Sequence, residues 1–124
     1  MNPTVLSPNP DTAFTHPEGA KILECSNSAD DPACSIACAS VAPGGTTRWH
    51  RLKDTAERYV ILQGKGRVEL GDLGPRDVAA GDVVLIPPGC RQRIANESKQ
   101  ELVFLAICTP RFQQANYEDV EGGP

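Results

Sequence analysis

The stretch GGTTRWHRLKDTAERYVILQG, residues 44–64, holds the most informative pattern in the chain. It contains His50, one of only two histidines, then Glu57 seven residues later and Gly64 seven residues beyond that. Alternation along ERYVILQ predicts a strand that points Glu57 and Tyr59 to the same side. After the intervening turn, we expect a hairpin to bring the Glu57 carboxylate to the His50 imidazole. The stretch therefore predicts a polar site inside a β structure.

Short strand-like runs continue along most of the chain. Nine of them are AKILEC, SIACASVA, TTRWHRL, ERYVILQ, GRVELG, RDVA, DVVLIP, RQRIA and ELVFLAIC. Gly, Pro, Asn and Asp separate the runs, and none keeps a helical repeat for three turns. Many short strands at this spacing are typical of a sandwich or barrel, so we predict an all-β fold.

The chain divides into three parts on composition. Residues 1–19 are a proline-rich N-terminal arm, expected to be extended and ordered only where it docks. Residues 20–110 are the β-barrel. Residues 111–124 are a polar, acidic tail with room for one short helical turn at most.

Length and charge narrow the class of protein. A chain of 124 residues is one domain, and a net charge of -4 argues against nucleic-acid binding. No apolar run approaches the roughly 20 residues of a membrane span, and no signal-peptide pattern is visible. We therefore expect a soluble, cytoplasmic protein with no membrane partner.

The five cysteines form an odd set, which favours free thiols over a disulfide framework. Cys34 and Cys38 lie on one predicted strand, where four residues separate their Cα atoms by about 13 Å, too far for one tetrahedral zinc ion. Cys38 and Cys108 are interpreted as small buried apolar side chains.

Several predicted strands are apolar on both faces, most clearly residues 83–86 and the run LVFLAIC. One face of a barrel strand lines the interior, so something must cover the other. A second sheet, the N-terminal arm or a second subunit would each serve. We favour a homodimer, since closed twofold pairs are the commonest assembly.

A second stretch, GDVVLIPPGCRQRIAN, completes a pattern that resembles the two motifs of the cupin superfamily. The first motif is a glycine, a His-x-His, a glutamate and a later glycine; the second is Gly-Asp, Pro-x-Gly, a histidine and an asparagine. The matching positions are Gly44, His50, Glu57, Gly64, Gly81, Asp82, Pro87, Gly89 and Asn96. The resemblance covers roughly residues 35–108 and implies a small jelly-roll barrel, commonly dimeric.

In many members of that superfamily, three histidines and a glutamate hold a metal inside the barrel. Here Leu52 and Gln92 stand where two of those histidines would be. The resemblance therefore implies a reduced metal set of His50, Glu57 and Gln92, able to hold Fe, Mn, Ni or Zn weakly. The alternative for His50 and Glu57 is a polar pair, hydrogen-bonded in a barrel that no longer binds metal.

Three side chains are candidates for contact with a substrate. Arg48 precedes His50 by two and is expected to share its inward direction near the mouth, where it would clamp an anion or remain solvated. Tyr59 would present its phenol to substrate or fill the core. The Gln92 amide suits hydrogen bonding to a ligand as well as to a metal.

Four other residues receive plainer interpretations. His16, in the arm, is expected to be exposed to solvent. Arg91 and Arg93 should face away from the barrel, and Cys90 is read as a turn residue unless it adds a thiol to the site.

Two functions remain open from the sequence. One is a metal-dependent enzyme acting on a small polar molecule as an isomerase, lyase, cyclase or dioxygenase, with Glu57 as ligand or general base. The other is a metal-free barrel that binds a small molecule without catalysis. The fold does not choose between them.

Overall fold

The computed structural model describes residues 1–123, which form two antiparallel sheets that face each other. The larger sheet has the spatial order β1 (Phe14–Thr15), β2 (Lys21–Ser26), β3 (Ser35–Val41), β10 (Leu102–Thr109), β5 (Ala56–Gln63) and β8 (Val83–Ile86). The smaller sheet has the order β11 (Tyr117–Asp119), β4 (His50–Leu52), β9 (Gln92–Ala95), β6 (Lys65–Leu70) and β7 (Leu73–Ala79). Two 3-10 turns lie at Pro10–Thr12 and Gln114–Asn116. The predicted all-β jelly roll is confirmed.

Alternation along the strands builds the core between the sheets. On β5 the side chains of Glu57, Tyr59 and Ile61 are buried while their neighbours are more exposed, as the pattern predicted. Ile94 on β9, in the facing sheet, and Leu102 on β10, in the same sheet as β5, are also fully buried. The interior is therefore largely apolar, with a polar group that includes His50, Glu57 and Gln92.

The expected hairpin between His50 and Glu57 is wrong. β4 pairs with β9 and β11 in the smaller sheet, whereas β5 pairs with β10 and β8 in the larger one. His50 and Glu57 consequently face each other across the barrel, and the direct strand neighbour of His50 is Gln92.

Both ends of the chain pack onto the barrel. Residues 1–12 are exposed, but Phe14–Thr15 pairs with β2, and His16, expected in solvent, is buried with 5% of its surface exposed. The tail forms one 3-10 turn and then β11, a strand that the sequence did not predict, which pairs with β4. The arm and the tail both approach the barrel beside His50.

All five cysteines, each within the described range, are free thiols, as predicted. Between residues 1 and 123 there is no helix with the length and apolar character needed to cross a membrane.

Candidate functional site

A cavity of about 680 Å³, including its mouth, opens between the two sheets. His50, Glu57 and Tyr59 line it together with Leu52, and the arm and the tail contribute further walls. Side chains of the larger sheet supply most of the apolar lining: Ile22, Ala37, Ala39, Phe104 and Ala106.

His50 is held by two partners. Its Nδ1 donates to the carbonyl of Arg48 at 2.6 Å, which places Nε2 2.9 Å from Oε2 of Glu18. Burial acts to lower the pKa of His50, but the Glu18 carboxylate and the Arg48 carbonyl outweigh it, so the pKa lies above its ordinary value. His50 and Glu18 therefore form a largely buried ion pair.

Glu18 reaches the site because the arm turns sharply there. The N–H of Gly19 donates to the carbonyl of His16, and the N–H of His16 donates to Ala20, both at 2.9 Å. Gly19 has a φ of +110°, a conformation that favours glycine. The N–H of Arg48 donates to the Glu18 carbonyl at 2.8 Å, which fixes the turn to the barrel beside His50.

Arm and tail brace this ion pair together. Nδ1 of His16 accepts from the N–H of Glu18 at 3.1 Å, so its Nε2 donates to Oε1 of Gln114, 2.9 Å away. The Tyr117 ring stacks on His50 with centroids 5.4 Å apart and meets His16 edge-on at 4.7 Å. Neither Glu18 nor Tyr117 was predicted from the sequence; the only signal for Glu18 was a second histidine and an acid adjoining a glycine in an arm with few charges.

Glu57 is a buried carboxyl of the cavity, and its pKa is raised. Burial, reinforced by the Glu18 carboxylate, raises the pKa of Glu57 to about 7, while His50, Gln92 and Cys108 act in the opposite direction. Oε2 lies 3.7 Å from the Cys108 sulfur, and Oε1 is buried without a hydrogen-bond partner within residues 1–123. A buried oxygen of this kind calls for a proton or a ligand.

Gln92 lies behind the cavity wall. It is 1% exposed, and its Oε1 accepts from the Tyr59 hydroxyl at 2.7 Å. Burial, followed by the nearby Glu57 charge, raises the pKa of Tyr59 well above its ordinary value, so the phenol keeps its proton. The bond from Tyr59 fixes the amide and leaves its nitrogen as the group available to Glu57.

The expected inward direction of Arg48 is wrong. No regular strand precedes His50, and the Arg48 side chain is about half exposed, with Nε 2.6 Å from Asp119 on the tail. Arg91 and Arg93 face away from the barrel, as predicted, and both cover the Trp49 ring. Cys90 packs against the core outside the cavity.

The predicted metal set fits a resident metal poorly. The coordinating nitrogen of His50 is already paired with Glu18, and the Gln92 oxygen is bonded to Tyr59. Leu52 has no donor atom. Within the described chain, no three His, Cys, Asp or Glu side chains are arranged to hold a metal ion. We therefore derive no reaction step through a metal.

The fold, with His50 on β4, Glu57 on β5 and Gln92 on β9, defines a small barrel with its polar site inside. The Cupin_2 family model (cupin domain) matches residues 38–108, and the chain belongs to this family. An uncharacterized protein of Methanocaldococcus jannaschii is 32% identical over 87 residues, which cover 70% of this chain and 69% of the relative.

Two solved enzymes share the fold at low sequence identity. The nucleoside dehydratase Pac13 is 16% identical over 98% of this chain and 95% of its own, with a TM-score of 0.77. A variant of Streptomyces PAC13 has also been solved with uridine. Oxalate decarboxylase of Bacillus subtilis, described with Mn(II) centres, is 24% identical over 83% of this chain and 28% of its own, with a TM-score of 0.71. Both likenesses show the fold alone.

Proposed function

We propose that this protein is an enzyme that transfers protons to and from a small molecule in the cavity, with Glu57 as general acid and base. The observation that carries the proposal is the Glu57 carboxyl, which lines the cavity and has one unpartnered oxygen among the described atoms. Burial raises its pKa to about 7. An acid–base catalyst works best when its pKa lies near the working pH.

The neighbouring groups suit this role. His50 lowers the pKa of Glu57 and Glu18 raises it, so the ion pair opposite Glu57 tunes both protonation states. When Glu57 gives up its proton to a substrate oxygen, His50 stabilises the carboxylate that remains only in part, because the Glu18 charge acts against it. When Glu57 takes a proton from carbon, its apolar surroundings favour the neutral acid. Isomerisation consists of such transfers, and elimination of water combines them with cleavage of the C–O bond, so that the protonated hydroxyl leaves as water.

A competing proposal is the metal-dependent enzyme, in which His50, Glu57 and Gln92 hold a divalent ion. Its support is the family, in which oxalate decarboxylase is described with Mn(II) centres. The geometry favours proton transfer, because His50 Nε2 and Gln92 Oε1 are each engaged by a protein partner.

The test uses protein stripped with a chelator and incubated in D2O with a panel of aldehydes, ketones and β-hydroxy carbonyl compounds, including nucleoside derivatives. We expect NMR to show deuterium incorporation or loss of water, reduced by about 10² to 10⁴-fold in Glu57→Gln. The matched control is Glu97→Gln, because Glu97 is an exposed carboxylate outside the cavity lining. Turnover that appears only after Mn(II), Fe(II) or Zn(II) is added would establish the metal-dependent alternative instead.

A further inference from the structure

The cavity lining contains carboxylates but no lysine or arginine among the described residues. The carboxylates are those of Glu18, Glu24 and Glu57. The positive charge of His50 is already neutralised by Glu18. His16 has both ring nitrogens engaged, by the Glu18 backbone and by Gln114.

Neither Arg48 nor Arg111 lines the cavity. Nε of Arg48 pairs with Asp119 at 2.6 Å. Arg111 donates to Oδ1 of Asn27 at 2.9 Å and lines a neighbouring depression instead of the cavity. An anion entering the cavity would therefore meet carboxylates and no lysine or arginine in the described lining, which is costly in a buried site.

Two residues of the cavity wall each have a buried polar atom that makes no hydrogen bond within the described chain. These atoms are Oε1 of Glu57 and the hydroxyl oxygen of Tyr117. Burial, followed by the Glu18 and Asp119 charges, raises the pKa of Tyr117 to about 12, so its phenol remains a donor. Together they offer one acceptor and one donor to a ligand that carries a hydroxyl or an amine.

Small side chains create the space for the body of that ligand. Ala106 on β10 lies between Ala37 on β3 and Tyr59 on β5 in the strand register, and all three line the cavity. Phe104 and Phe112 add aromatic surface. An apolar, flat molecule fits these walls.

We infer that the cavity binds uncharged or cationic small molecules that carry a hydroxyl or amine on an apolar body, and that it rejects carboxylates and phosphates. This rests on the proposed use of the cavity as the substrate site. It names the substrate class and sets this chain apart from relatives that act on anions such as oxalate.

Three probes with the same benzyl body test the selection: 2-phenylethylamine, 2-phenylethanol and phenylacetate. Binding is followed by shifts of backbone amide NMR signals at Glu57, Tyr59 and Ala106. We expect the amine and the alcohol to bind, and phenylacetate to bind at least about tenfold more weakly. Equal or tighter binding of phenylacetate would overturn the inference, and so would failure of the amine and the alcohol to bind.

Two variants test whether the probes bind in the cavity and whether Glu57 causes the discrimination against phenylacetate. Ala106→Leu fills the cavity without changing a charge, and it should abolish binding of all three probes. Glu57→Gln removes one carboxylate and should narrow the gap between alcohol and phenylacetate, whereas Glu97→Gln should leave it unchanged. Dispersed amide spectra of each variant verify folding. Binding of the probes does not depend on turnover, so the two proposals can fail separately. Deuterium exchange without the selectivity among the probes would contradict this inference but not proton transfer by Glu57. Selective binding without deuterium exchange would contradict only proton transfer.

Discussion

At the scale of single residues, the function depends on how Glu18 and His50 set the protonation of Glu57. Glu18 forms an ion pair with His50 at 2.9 Å, and its charge raises the pKa of both other groups. The three residues come from the arm, β4 and β5. Their pKa values are therefore a property of the folded barrel.

Removing the Glu18 charge should lower two pKa values at once. In Glu18→Gln, burial becomes the dominant influence on His50 and lowers its pKa, and the pKa of Glu57 falls because the like charge that raises it is gone. Imidazole ¹H–¹³C spectra follow His50, with His16→Gln to assign the signals. Glu24→Gln, at the exposed mouth, is the control. An unchanged His50 midpoint in Glu18→Gln would contradict the ion pair.

Stability should fall as the pH rises toward 8. Glu57 binds its proton more tightly in the folded state, so its ionisation costs stability as the pH climbs from 4.5 through about 7. His50 also has a raised pKa, so its contribution is present below 6.5 and is lost as the pH rises through the folded value. Both groups act in the same direction.

Glu57→Gln should flatten this dependence, with a gain in the free energy of unfolding of up to about 3 kcal/mol at pH 8 and little change at pH 4. Urea denaturation across the pH range measures it. Parallel curves for wild type and variant would show that Glu57 titrates normally.

At the scale of elements, the sequence predicted the strands better than their partners. Each of the nine runs contains a strand or overlaps one, because alternation is a local signal. The partner of β4 is decided by distant residues: its neighbours are β9 and β11, and the polar β11 gave no alternation. Glu18 and Tyr117 were missed for the same reason, since long-range docking of the arm and tail brings them to His50.

Two glycines of the resemblance test how local geometry fixes the barrel. Both Gly64 and Gly81 have positive φ, +85° and +94°. A Cβ at Gly64 would lie 2.5 Å from the Glu101 carbonyl oxygen, while at Gly81 no described atom lies within 4 Å.

Gly64→Ala should therefore cost about 2 to 4 kcal/mol, and Gly81→Ala about 1 kcal/mol, because only the first adds a clash with backbone to the conformational strain. Thermal or urea unfolding of the two variants compares them. Equal losses would mean that the backbone at Gly64 relaxes freely.

At the scale of the whole molecule, the outer face of the larger sheet remains accessible and apolar. Cys38, Leu105, Val60 and Val83 lie side by side across β3, β10, β5 and β8. Val83 and Leu85 are 58% and 69% exposed. The prediction that a second copy covers this face follows from these neighbouring and exposed apolar side chains.

Light scattering should then give a mass near twice 13.3 kDa. Leu85→Lys should shift it toward the monomer, whereas Leu73→Lys, an exposed leucine on the other sheet, should not. A wild-type mass of 13.3 kDa at micromolar concentration would refute the homodimer.

The most direct test of the proposed chemistry is the pKa of Glu57 itself. A ¹³C NMR titration of glutamate carboxyl groups, with Glu57→Gln to assign the signal, measures it in the native protein. We predict a midpoint at about 7, because burial and Glu18 together hold the proton on. A midpoint near the ordinary 4.5 would leave Glu57 fully ionised at neutral pH and contradict its role as general acid.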